Sequence, residues 1–301
     1  MQATSDSHRI GPFSYIWREL YVSWRFLQND IWAGLMAGVG FTFAAALNSD
    51  AKATAVARIM AASVVYFWLY LYGHTLANQL VGIEEDRVNK PERPLPSGLV
   101  TVRGTAWRLA FVVVAFLAVG HAFGVLRWAA LWVATFLLLN FYGHKHWFLK
   151  NTVCMSLGTL ACLGAAWELV APMTEISWRV SLTISGFVAV TSPIQDFRDA
   201  EGDRLLNRRT LPIAIGERAS RVVMSVALVA WLPVAWALMV RPSWSGGLAT
   251  WLAVVAIVVL TIRVAFRLVR VHGPEEDHRT YRLHEYLYVL YAFSGVVFLS
   301  A

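Results

Sequence analysis

Charge is what this chain has least of. Only 15% of its 301 residues are Asp, Glu, Lys or Arg, whereas 57% are hydrophobic and 14 are tryptophan; mean hydropathy is +0.53. A soluble domain or a disordered chain needs more charge and less apolar side chain, so both are excluded and a polytopic membrane protein remains. Cysteine is nearly absent too. Cys154 and Cys162 lie eight apart in one apolar run, which is neither a disulfide framework nor a zinc pattern, and they read as small buried residues. Nor is a secretory leader expected, because some thirty polar and amphipathic residues precede the first long apolar run.

What is present is a series of apolar runs, each about 20 residues and long enough to cross a bilayer. They predict an all-α, polytopic membrane protein with nine transmembrane helices, at 30–47, 54–82, 106–123, 125–142, 152–171, 178–196, 219–240, 248–266 and 283–300. Residues 1–12 read as disordered. From Phe13 to Leu27, apolar Tyr15, Ile16, Leu20, Trp24 and Leu27 alternate with Arg18, Glu19 and Arg25, a pattern suited to a helix lying at the interface. The domain division is therefore an amphipathic arm over 1–29 and one transmembrane domain over 30–301. Basic residues test the topology. Of 26 Lys and Arg, 21 fall in the arm and in the segments after the even-numbered spans; only Lys52, Arg58, Arg127, Arg179 and Arg241 lie on the other side. That bias puts the amino terminus on the cytoplasmic side. It also accounts for the net charge of +7 without nucleic acid as a partner.

Two loops on that side carry the chemistry. Residues 78–98 end an apolar run in Glu84-Glu85-Asp86-Arg87, followed by Asn89-Lys90-Pro91 and Arg93-Pro94. Acids at the mouth of a span are costly and usually face a cavity. Mg²⁺ prefers carboxylates together with phosphates, and Arg and Lys suit the remaining phosphate oxygens, so the stretch reads as a metal–diphosphate site. Residues 196–216 repeat it: Asp86-Arg87-Val88-Asn89-Lys90 and Leu95-Pro96 have counterparts in Asp203-Arg204-Leu205-Leu206-Asn207-Arg208 and Leu211-Pro212, 117 residues on. An internal repeat predicts a two-half bundle, about 30–150 and 151–301, with the site between halves. A transporter would also carry repeats, but its charges belong near the midplane, whereas these cluster at one surface.

Helical spacing puts Asn78, Gly82, Glu85 and Asp86 on one face with Glu84 elsewhere, and Asp196, Asp199 and Asp203 on another. Opposed across a cavity, these faces suit a metal held against a diphosphate whose charge grows as the carbon–oxygen bond breaks. Arg87, Arg93, Arg204, Arg208 and Lys150 are candidates for the phosphate oxygens. His74 and His121 read as packing residues inside spans, and His144 and His146 form a weak metal pair. Tyr66, Phe67, Trp68, Tyr70 and Tyr72 read mainly as packing residues, some able to face a carbocation. The acids at 275–277 read as a solvated linker.

Asn78, the run Asp86-x-x-Asn89-Lys90-Pro91-x-Arg93-Pro94-x-Pro96-Ser97-Gly98, and Asp196-x-x-Asp199-x-Glu201-Gly202-Asp203 with Thr210-Leu211-Pro212 resemble the UbiA superfamily of intramembrane prenyltransferases over nearly the whole chain. The resemblance implies an isoprenyl diphosphate substrate bound through Mg²⁺ and ionised within the lipid bilayer. By position, Asn78, Asp86, Asp196, Asp199 and Asp203 match its metal ligands; Arg93, Lys150 and, less closely, Arg25 match its diphosphate contacts. One departure stands out: Gln79 and Gly82 replace two acids of the usual first motif, with Glu85 retained beside Asp86. That change resembles the UbiA-type terpene cyclases, and so implies cyclisation of a C15 or C20 substrate with release of diphosphate. The alternative is transfer of the prenyl group to an aromatic or lipid acceptor. Nothing in the sequence points to a protein partner.

Overall fold

The computed structural model describes residues 12–143, 146–205 and 208–299. Of the disorder expected over 1–12, residues 1–11 lie outside them and Pro12 opens the first helix; the His144 half of the weak metal pair also lies outside them. Among the described residues the chain is helical throughout, with one isolated bridge between His146 and Arg209 and no strand.

Helix α1 (Pro12–Leu27) exposes Tyr15, Ile16, Trp17, Leu20 and Trp24 and buries Val22, Phe26 and Leu27. A bend of 86° separates it from the next helix. Arg108 pins it to the bundle through two bonds to Glu19, at 2.8 and 2.5 Å. An apolar helix that turns aside at this angle has the form of an interfacial arm.

A π turn at Trp32–Met36 leads into α2 (Ala37–Leu47); α3 (Ala53–Val81), α4 (Ile83–Asn89), α5 (Val102–Ala122) and α6 (Leu126–Phe141) follow. A second π turn, Phe148–Met155, leads into α7 (Ser156–Glu168). Then come α8 (Glu175–Thr191), a 3-10 stretch at Ser192–Phe197, α9 (Ala200–Leu205), α10 (Leu211–Ile215), α11 (Glu217–Ala235), α12 (Leu248–Arg270) and α13 (Pro274–Phe298). Every expected apolar run holds a helix. Among the described residues five helical stretches are long and apolar enough to cross a membrane, six only when the bent pair α1–α2 is counted as one broken span. Length and composition do not by themselves promote the others: α6 has 16 residues, α8 has 17, and α13 opens in a charged turn.

Successive long helices pack as neighbours, and α13 closes back on α2. Buried Ala37, Gly38, Gly40, Ala44 and Ala45 let α2 approach α3, α7 and α13 closely, as small residues do where helices associate in lipid. The stretch expected as a linker is mostly helix. α12 runs on to Arg270, and α13 begins at Pro274 after Gly273 at φ +117°. Proline in the first turn followed by Glu275, Glu276 and Asp277 suits a helix amino terminus. Asp277 is buried, 4% exposed, and takes two bonds of 2.7 Å from Arg221 of α11.

Candidate active site

The first motif straddles a break. Gly82 ends α3, yet Gly82 N donates to Asn78 O (2.8 Å) and Asp86 N to Gly82 O (2.9 Å), so helical register carries into α4. Asn78, Gly82, Glu85 and Asp86 consequently line one cavity, as their spacing predicts. Glu84 faces outward, paired with Arg87 at 2.7 Å. The proline-rich tail folds Arg93 back beneath them. Its Nη1 donates to both Asp86 carboxylate oxygens at 2.9 Å and to Asn78 Oδ1 at 3.3 Å, and its Nη2 lies 3.9 Å from Asp30.

The second motif is not one helical face. Pro193 sits in the 3-10 stretch, and α9 starts only at Ala200, so the three aspartates diverge. Asp199 lines the cavity, whereas Asp196 and Asp203 sit behind its wall. Asp196, fully buried, accepts from Lys150 Nζ at 2.8 Å and Asn151 Nδ2 at 2.7 Å. Lys150 reaches it from the π turn, whose start is tied to this motif by Trp147 N donating to Arg209 O at 3.1 Å. Asp203 pairs with Arg208 at 3.2 Å, while its buried Oδ2 has no partner among the described residues.

Two ion pairs join the motifs across the mouth. Lys90 of the first lies 3.4 Å from Asp199 of the second, and Arg208 of the second lies 2.6 Å from Glu85 of the first. Burial raises the Asp86 carboxyl above the ordinary carboxylate range, against the opposing charge of Arg93. Burial also works to raise Asp199, but Arg198, Lys90 and Lys150 outweigh it and hold the group at about 2. Asp203, desolvated and near Asp196, is pushed up to about 6 in spite of Lys150.

The donor chemistry fits Mg²⁺: oxygen donors, with the orphaned Asp203 Oδ2 as a buried acceptor. In this arrangement the carboxylates turn to Arg and Lys instead, and among the described residues no three acids converge on one ion position.

The cavity measures about 230 Å³. Its mouth carries Asn78, Glu85, Asp86, Lys90, Arg93, Lys150, Arg198, Asp199 and Arg208; its depth is walled by Tyr70, His74, Trp132, Tyr281, His284 and Tyr288. Three expected phosphate contacts lie elsewhere. Arg25 donates to Tyr21 Oη (3.0 Å) and Glu92 O (2.9 Å), Arg87 is held by Glu84, and Arg204 is exposed near Glu217 at 3.8 Å. Each has a local partner that draws it from the cavity. Of the five aromatics singled out beside the first motif, only Tyr70 lines the chamber. Tyr66, Phe67 and Tyr72 are core, and Trp68 stacks on Trp24. His74, read as packing, is in the wall between Trp132 and Phe136. Gln79 is buried outside the lining.

The face of α13 went unrecognised. Tyr281, His284, Glu285 and Tyr288 recur at offsets of three, four and seven and all line the chamber. That periodicity was the available signal.

Two charged loops of a helical bundle thus meet over one aromatic-walled chamber, the form of an enclosed site with a charged mouth. The chain belongs to the UbiA prenyltransferase family, which it matches over residues 33–290. It is 41% identical over 293 residues to the somaliensene A/B synthase of Streptomyces somaliensis, covering 96% of this chain and 97% of that protein. Two proteins of Hericium erinaceus are also similar. The diterpene cyclase eriG is 35% identical (93% of this chain, 89% of that one), and the polyprenyl transferase eriF is 31% identical (92% and 94%). Among solved structures, a UbiA homologue from Archaeoglobus fulgidus bound to DMAPP and Mg²⁺ shares the fold. Its TM-score is 0.62 at 11% identity, over 91% of this chain and 98% of that one.

Proposed function

We propose that this enzyme is a membrane-embedded, Mg²⁺-dependent terpene cyclase that ionises a C15 or C20 isoprenyl diphosphate and closes the cation on its own double bonds. One observation carries the reading: the charged mouth opens directly onto a chamber walled by Tyr70, Trp132, Tyr281 and Tyr288. Their π faces suit a migrating positive charge held away from water. The full-length similarity to a synthase and a cyclase supports it.

The roles follow from position. Asn78, Glu85, Asp86 and Asp199 at the mouth, with Asp196 and Asp203 behind them, are the oxygen donors for the metal. Arg93, Arg208, Lys90 and Lys150 hold diphosphate oxygens once they release the carboxylates. When bound, Mg²⁺ neutralises charge growing on the diphosphate. The chamber excludes water and folds the chain. Helices α2, α3, α5, α6, α7, α8, α11, α12 and α13 are nine spans of one domain, in halves about 30–150 and 151–301, each with a π turn near its start and a motif after its second helix. The amino terminus and both motif loops face the cytoplasm, by the distribution of basic residues.

The test is purified protein, Mg²⁺ and farnesyl or geranylgeranyl diphosphate without acceptor, read by gas chromatography–mass spectrometry. Cyclic hydrocarbon or cyclic alcohol is expected. The second reading, prenyl transfer, is favoured by the similarity to eriF. Linear alcohol alone, together with a prenylated adduct once a phenolic acceptor is added, would establish it instead.

A further inference from the structure

We propose that Glu285 is the proton acceptor that ends the cyclisation; the inference rests on the cyclase reading. Glu285 projects from the inward face of α13 into the chamber wall and is 3% exposed. By strict geometry neither of its carboxylate oxygens accepts a hydrogen bond among the described residues, and the Tyr281 hydroxyl is the neighbouring donor that acts on it. Its ion pair is with Arg282, 3.1 Å from Oε2, and Arg282 is itself anchored to Asn29 O at 3.3 Å. Burying a carboxylate with so few bonds is expensive, so the position calls for a task. The metal and diphosphate groups at the mouth give it none.

The chemistry of the chamber supplies one. Ring closure leaves a carbocation, and a neutral alkene forms only when a C–H bond beside the cationic carbon breaks. Its electron pair becomes the new π bond, and the proton passes to a Glu285 oxygen, giving the carboxylic acid. Water entering as the diphosphate leaves takes that proton away. A carboxylate also draws the migrating charge towards itself, which neutral bases do not. The two histidines in the wall each also keep a buried Nδ1 without a partner among the described residues, but their rings are held by neighbours and neither carries a charge that draws the cation. His284 Nε2 is bonded to Thr191 Oγ1 at 2.8 Å and its ring stacks on Phe187 at 5.5 Å; His74 is wedged between Trp132 at 5.3 Å and Phe136 at 6.5 Å.

Glu285→Gln keeps the shape and removes the base. With Mg²⁺ and the preferred diphosphate, diphosphate release should stay within about threefold of the parent, because ionisation occurs at the mouth. The share of product that is the parent's alkene should fall about tenfold or more, replaced by cyclic alcohol or other isomers. Glu285→Asp should restore that alkene. Should the Gln variant fail to fold, Glu285→Leu, neutral and of similar length, is read by the same ratio. Unchanged product composition would overturn the proposal and leave the departing diphosphate as the base. Release lost in parallel with alkene would also overturn it, by placing Glu285 before ionisation. A parent enzyme that yields only a prenylated adduct would sink the cyclase reading, a result seen before any variant is made.

Discussion

Asp199 and Asp203 stand four residues apart, yet the first is held at about 2 and the second at about 6. The difference lies in their company: Asp199 faces Arg198 and Lys90, whereas Asp203 shares its burial with Asp196. Asp203 therefore binds its proton more tightly in the folded chain than the ordinary value of 3.8 implies. The sign is that of a raised acid: its contribution to stability falls as pH rises from 3.8 to about 6. The ionised form that a metal needs is present above that window. Lowering pH from ~7 to ~5.5 should raise the half-saturating Mg²⁺ concentration about fourfold, from the fraction ionised; a titration of turnover with Mg²⁺ at the two pH values checks this, and equal values would refute it. At the mouth, Asp86→Asn and Asp199→Asn should each lower turnover by ~10²–10³ while the protein stays folded. Diphosphate release and circular dichroism together test this, and parent-like rates in both variants would remove the carboxylates from the mechanism.

At the scale of elements, the floor of the chamber is where α3, α6 and α7 meet. Trp132 stacks on Tyr70 with centroids 4.3 Å apart and donates to Tyr70 O at 2.8 Å, while Tyr70 Oη donates to Gly158 O at 2.9 Å. A Cβ at Gly158 would sit 2.4 Å from the Trp132 ring. Gly158→Ala must therefore push the indole towards the chamber, at a cost of ~1–3 kcal/mol. A lower Tm and a shift in kcat/KM from geranylgeranyl towards farnesyl diphosphate are expected; an unchanged preference would show that this floor does not measure the chain. Such contacts cannot be read from one sequence, because Gly158 and Trp132 are joined only when two helices pack. The motif face on α3 was legible because Asn78, Gly82, Glu85 and Asp86 keep helical spacing through the break. The second motif was less so, because Pro193 and the 3-10 stretch altered the spacing that separates its aspartates. The start of α13 was hidden by its acids, which resemble a loop until Arg221 is brought to Asp277.

For the whole molecule, each of the nine apolar runs marked in the sequence holds a helix, and the acidic loops after the second and sixth runs come together at one cavity. Arg25, Arg87 and Arg204 lie outside the cavity lining with other partners, because charge type says nothing about which neighbour claims a side chain first. Orientation in the bilayer is open to test. With Cys154 and Cys162 buried, cysteines introduced at the exposed positions Ser97 and Glu201 should react with an impermeant thiol reagent only from the cytoplasmic side. One at exposed Ser245 should react only from the other. Opposite reactivity of Ser97 and Glu201 would separate the two loops and the site with them. The paired loops have a consequence for the catalytic cycle. Each half lends the other one cation, Lys90 to Asp199 and Arg208 to Glu85, so the entrance is a latch with matched charges. On the proposed function, a magnesium diphosphate would bring anions for the freed cations and a cation for the freed carboxylates, so it would open the latch without stranding charge, whereas a prenyl alcohol would bring neither.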